Sequence, residues 1–190
     1  MRPKRKPLII EPYLIVPKKS KNRRSLLKTS ERKPVTILYA GIQEAGELIR
    51  LELIKSYGKN LIHFFHANSD DTIWRDTEVT QAFQDYHYDL CILWLNNILF
   101  VAPKKIPSDY DSRMEECREF IKMLLLKTNT RIVGIWCTHK KNTWPEQFLK
   151  CGLQAVYHAP FSGKRIANDF PVLIGWEKGG EGFERIVGKE

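Results

Sequence analysis

Short apolar runs alternate, along residues 35–161, with stretches whose apolar positions recur every three or four residues. The runs fall at 35–40, 61–66, 88–94, 131–137 and 154–158. Each has the length and composition of a strand buried on both faces. Between the first two, residues 43–57 predict a helix with Leu48, Ile49, Leu51, Ile54 and Tyr57 on its apolar face and Gly58 at its stop. Asn68-Ser69-Asp70-Asp71 reads as a turn and helix start, and 78–86 as a shorter helix. Residues 114–126 predict a helix with a face of Met114, Cys117, Phe120, Ile121, Leu124 and Leu125, capped by Asp109 or Asp111. Thr143 opens another, with Pro145 in its first turn and Gly152 at its end. The order βαβαβαβαβ implies an α/β protein: a three-layer, doubly wound, parallel five-stranded sheet with helices on both faces. Residues 162–190 form a C-terminal extension. Within it, 170–176 reads as a further strand or an irregular apolar cover, and Gly179-Gly180-Glu181-Gly182 as a flexible break.

The run Tyr88-Asp89-Leu90-Cys91-Ile92-Leu93-Trp94 is the centre of this pattern. In open α/β sheets chemistry gathers at the carboxyl ends of the central strands. Here that end reads Trp94-Leu95-Asn96-Asn97, without an acid, base or nucleophile of evident use.

Charge divides the chain. The net charge is +9, yet residues 1–34 alone hold twelve Lys or Arg against two acids. A basic, proline-containing arm thus precedes a near-neutral domain. Lys4, Arg5, Lys6, Lys18, Lys19, Lys21, Arg23 and Arg24 are its candidate contacts to nucleic acid or another polyanion, by salt-dependent phosphate neutralisation. Within the arm Leu8-Ile9-Ile10-Glu11-Pro12-Tyr13-Leu14-Ile15-Val16 is too apolar for an inert linker. It suits an extended strand added to a sheet edge, a partner's groove, or a tail tucked against its own domain. No run approaches the roughly 18 apolar residues of a membrane span. Met1 leads into charge and proline rather than the apolar core of a secretory signal, and none of the four cysteines forms a Cys-x-x-Cys pair, so a reducing cytoplasm is expected. No cofactor and no metal are expected either. His63 and His66 alternate in facing on a strand, and Cys137, His139, Cys151 and His158 match no zinc spacing.

At Gly152-Leu153-Gln154-Ala155-Val156-Tyr157-His158-Ala159-Pro160-Phe161 the chain resembles the end of a response-regulator receiver domain, which carries Gly, an apolar strand and then Lys-Pro-Phe. Ala159 stands where the lysine belongs. The resemblance covers residues 35–161 and implies a receiver-like, flavodoxin-like fold. It places Cys137 and Thr138 at the family's Thr/Ser position, Trp94 at the phosphorylated Asp, and Ala40 and Gly41 at the paired acids that bind magnesium. Val156 takes the aromatic switch position, and the family's last helix is not evident after Phe161. Phosphotransfer to Asp needs a carboxylate nucleophile, a divalent cation on hard oxygen ligands, and a cation and hydroxyl over the phosphoryl oxygens. Ala40, Gly41, Trp94, Cys137, Thr138 and Ala159 therefore make a degenerate phosphoacceptor pocket. Trp94 and Trp136, ending neighbouring strands, are expected to plug it together.

The expected function is that of a non-catalytic pseudo-receiver. The domain binds a protein partner as a regulatory scaffold, and the arm holds nucleic acid or an acidic partner. Two alternatives stand beside it. One is a structural component of a ribonucleoprotein or other large assembly. The other is a diverged hydrolase of the SGNH type, on the strength of Asn96-Asn97 after an apolar strand, although no Gly-Asp-Ser follows the first strand and no Asp-x-x-His appears near the end.

Overall fold

A computed structural model describes residues 33–68, 73–85, 87–95, 108–136, 143–158 and 162–176. Five strands, β1 (Val35–Gly41), β2 (Ile62–Asn68), β3 (Leu90–Trp94), β4 (Arg131–Trp136) and β5 (Ala155–His158), form one parallel sheet in the order β2-β1-β3-β4-β5. The helices are α1 (Gln43–Tyr57), α2 (Thr77–Asp85), α3 (Tyr110–Lys127), α4 (Trp144–Cys151) and α5 (Gly163–Leu173). The doubly wound, three-layer sandwich read from the sequence is the architecture observed.

Side chains alternate along each strand, so the sheet feeds two cores. On one face Ile37, Tyr39, Ile92, Trp94, Ile135 and Tyr157 pack with Ile49, Leu53, Ile166 and Phe170 of α1 and α5. On the other, Leu38, Cys91, Leu93, Ile132 and Trp136 pack with Val79, Met114, Cys117 and Phe148 of α2, α3 and α4. Cys91 and Cys117 act as small hydrophobes, their thiols pushed well up by burial.

Three expectations are corrected. The face of α1 is Gly46, Ile49 and Leu53, while Leu48 and Leu51 are 62% and 50% exposed. The stripe turns this way because Gly46 lies on the Tyr39 ring: a Cβ there would meet the ring at 2.6 Å. The acids expected to cap α3 bond elsewhere. Asp109 accepts from Arg113 at 2.6 Å, and Asp111 accepts from the Trp144 indole at 3.0 Å. Likewise Thr143 precedes α4 without a side-chain cap, whereas Asp76, not foreseen, accepts from Val79 N–H at the start of α2.

The third correction is α5 itself, a helix where the sequence suggested none. Ile166, Ala167, Phe170 and Leu173 are its buried face against α1. Pro171 inside it has no N–H for the carbonyl four residues back, that of Ala167. The Tyr57 hydroxyl donates to this same carbonyl at 2.5 Å, so α1 supplies the bond that α5 lacks.

Candidate functional site

The turn from β1 into α1 and the end of β3 meet at the carboxyl edge of the sheet. Ala40 and Leu93 are partners in the β1–β3 ladder, which sets Gly41 beside Trp94. The backbone of Gly41, at φ 154°, runs so close that a Cβ there would lie 2.7 Å from the Cβ of Trp94. Trp94 is 4% exposed and belongs to the α1–α5 core. The turn carbonyls are engaged from within the domain. The Tyr39 hydroxyl donates to Ile42 at 2.9 Å, and His66 Nε2 lies 3.3 Å from the Gly41 carbonyl, which only an N–H can serve. Burial first, and Glu44 second, push the Tyr39 hydroxyl up, so it remains a protonated donor.

Of the six residues assigned to the degenerate pocket, the structure brings together Gly41 and Trp94. Ala40 is adjacent but faces the α2–α4 layer. Cys137, Thr138 and Ala159 lie outside the described residues, as do Lys4, Arg5, Lys6, Lys18, Lys19, Lys21, Arg23 and Arg24 of the arm. The expected pairing of Trp94 with Trp136 does not occur. Trp94 is the ladder partner of Ile135, so Trp136, one residue on, points to the opposite face and packs on Phe148 at 5.9 Å. His63 is exposed, and His66 stands edge-on to the Tyr39 ring at 5.0 Å.

Sequence reasoning missed Tyr39 and Tyr157. Tyr157 donates to the Asp169 carboxylate at 3.0 Å, tying β5 to α5, with its hydroxyl raised by burial and then by that carboxylate. The available signal was a lone tyrosine in each of two short, mostly apolar strands.

Carboxylate chemistry lies at the opposite end of the sheet. Asp89 precedes β3 and accepts from the Thr36 N–H at 2.7 Å and the Thr36 hydroxyl at 2.9 Å. Asp89, His87, Lys127, Asn129, Arg131 and Ile174 are among the residues lining an open cleft of about 650 Å³ there. Among the described residues no group of three His, Cys, Asp or Glu is arranged to hold a metal ion, and no helix is long and apolar enough to cross a membrane.

No protein-family model matches the chain, and no curated protein resembles it closely enough to count as a relative. Solved structures do. The chain is similar to the pilus assembly protein CpaE from Caulobacter crescentus, with a TM-score of 0.51 and 9% identity over 76% of this chain and 93% of that one. It is also similar to a response regulator from Thermotoga maritima, with a TM-score of 0.50 and 14% identity over 76% of this chain and 99% of that one. At such identities the likeness concerns the fold, and the fold is that of a receiver domain.

Proposed function

We propose that this protein is a receiver-like regulatory module that works without accepting phosphate. In this reading the domain binds a protein partner and the basic arm adds nucleic acid or another polyanion. The observation that carries it is the seating of Trp94. A receiver receives phosphate at the carboxyl end of its third strand; by the resemblance that position is Trp94, and what supports the reading is that Trp94 is buried with its Cβ close to the Gly41 backbone. The turn carbonyls at these two strand ends already have donors from Tyr39 and His66, which supports this reading. Asp89, the carboxylate nearest in sequence, is held by Thr36 at the other end of β3.

The test has two arms. Incubation with acetyl phosphate and magnesium is expected to leave the full chain unmodified by mass spectrometry, and a phosphoryl group on Asp89 or any other carboxylate would refute the reading. Full-length protein with Lys18, Lys19, Lys21, Arg23 and Arg24 changed to Gln is then compared with wild type in pull-downs with and without nuclease. A specific protein captured equally by both, with nuclease present, supports the domain as the binding surface. Nucleic-acid retention lost in the variant and steeply salt-dependent in wild type supports the role of the arm.

A further inference from the structure

The outer edge of β2 is a feature of the fold that the reading above leaves unused. β2 is outermost on its side of the sheet. The bond from Val35 N–H to the Leu61 carbonyl, with Val35 opposite Ile62, fixes which backbone groups turn inward. In a parallel ladder the N–H and C=O of a residue face the same neighbour. Hence His63, Phe65 and Ala67 bond β1, while Ile62, Phe64 and His66 direct both backbone groups outward, to a side on which no strand lies among the described residues. Proteins blunt such edges with Lys, Pro, bulges or very short strands. β2 reads Ile-His-Phe-Phe-His-Ala-Asn over 7 residues, all in register with β1, with none of these devices. Apolar surface lies exposed nearby: Phe65, edge-on to Tyr88, is 41% exposed on one face, and Leu51 of α1, the helix over the other face, is 50% exposed.

The chain carries a segment that fits. Residues 8–16 are apolar at both odd and even positions apart from Glu11 and Pro12, as suits a strand with cover on both faces. Pro12 is tolerated in an outermost strand, where its missing N–H faces solvent. The described chain starts beside the right place, since Val35 lies next to Ile62. Eighteen residues, 17–34, separate the segment from β1. They reach up to about 60 Å when extended, against about 10 Å for two strand spacings.

We propose that residues 8–16 add to β2 in cis as a sixth strand, which fixes the basic cluster of residues 18–24 to the domain next to that edge. The inference does not depend on whether the domain takes phosphate. Amide hydrogen exchange on the full chain tests it, comparing wild type with Leu14→Pro/Ile15→Pro, a pair that removes a donor of each parity. The amides of Ile62, Phe64 and His66 are expected to exchange at least about tenfold faster in the variant, with those of Ile92 and Val133 unchanged. A synthetic peptide of residues 6–18 is expected to restore the slow exchange. Equal exchange of the three amides in both proteins overturns the proposal. So does protection in wild type that rises with protein concentration, which would make a second copy the occupant. Should Ile92 and Val133 lose protection as well, the peptide decides: recovery at β2 supports the proposal, and no recovery sinks it.

Discussion

The two ends of β3 hold different kinds of group. At the carboxyl end, where ligands and chemistry gather, Trp94 is buried against Gly41 and the turn carbonyls are bonded to Tyr39 and His66. At the amino end a carboxylate, Asp89, faces an open cleft and binds the backbone and hydroxyl of Thr36. An acid in the central strand therefore says little by itself. Its end of the strand decides whether it meets helix N-termini, which favour anions, or only the starts of neighbouring strands. Asp89 stands at the amino end of β3 and clips β1 to β3.

The comparison breaks most visibly if the carboxyl end is forced to look like an acceptor. Trp94→Asp removes a large buried aromatic, which costs about 3–5 kcal/mol, and places a carboxylate among Tyr39, Ile92 and Tyr157. The stability of a domain this size is about 5–15 kcal/mol, so denaturant unfolding is expected to show most of it lost, and magnesium is expected not to restore it. A Trp94→Asp protein as stable as wild type would mean that the end of β3 is open and ready for a metal. The amino end is expected to yield far less. Asp89→Ala deprives the Thr36 N–H of its side-chain acceptor and leaves the hydroxyl only the His87 carbonyl at 3.3 Å, but at an exposed site where water substitutes, so the loss is about 1 kcal/mol. A loss comparable with that at Trp94 would show the clip to be a main support of the sheet.

The layers were legible in the sequence because strands buried on both faces announce themselves as short apolar runs, and all five appear in the structure within two residues of the expected bounds. What was lost was whatever depends on facing. The apolar face of α1 was drawn through Leu48 and Leu51 because leucine is apolar, whereas the stripe follows Gly46, which lets the helix down onto Tyr39. Trp94 and Trp136 were joined because both end strands, but the one-residue offset in the β3–β4 ladder puts them in different cores. Helix α5 was hidden by Pro171, and the Tyr57 hydroxyl that makes this proline tolerable comes from 110 residues earlier in the chain, beyond any local pattern. At the candidate site Trp94 and Gly41 could be named from the resemblance to receiver domains, while the donors of Tyr39 and His66 could not, because they depend on how β1 and β2 lie together.

The smallest effect expected at the carboxyl end is a dependence on pH through His158, the last residue of β5. Burial holds its folded pKa below the ordinary histidine value, because a half-buried imidazolium loses hydration. The sign follows from which state takes the proton first. Above the unfolded value of about 6.5 both states are neutral and the domain has its full stability. As pH falls below it the unfolded chain protonates before the folded one, so stability declines until the folded pKa is passed. The ring keeps much of its contact with water, so the decline is shallow. Thermal unfolding of wild type and His158→Gln between pH 7.5 and 5 (roughly one unit above and 1.5 below that reference value) is expected to give a gentler slope in the variant. Parallel slopes would mean that the end of β5 is hydrated in the folded state, and that the burial seen at Trp94 is not shared by His158.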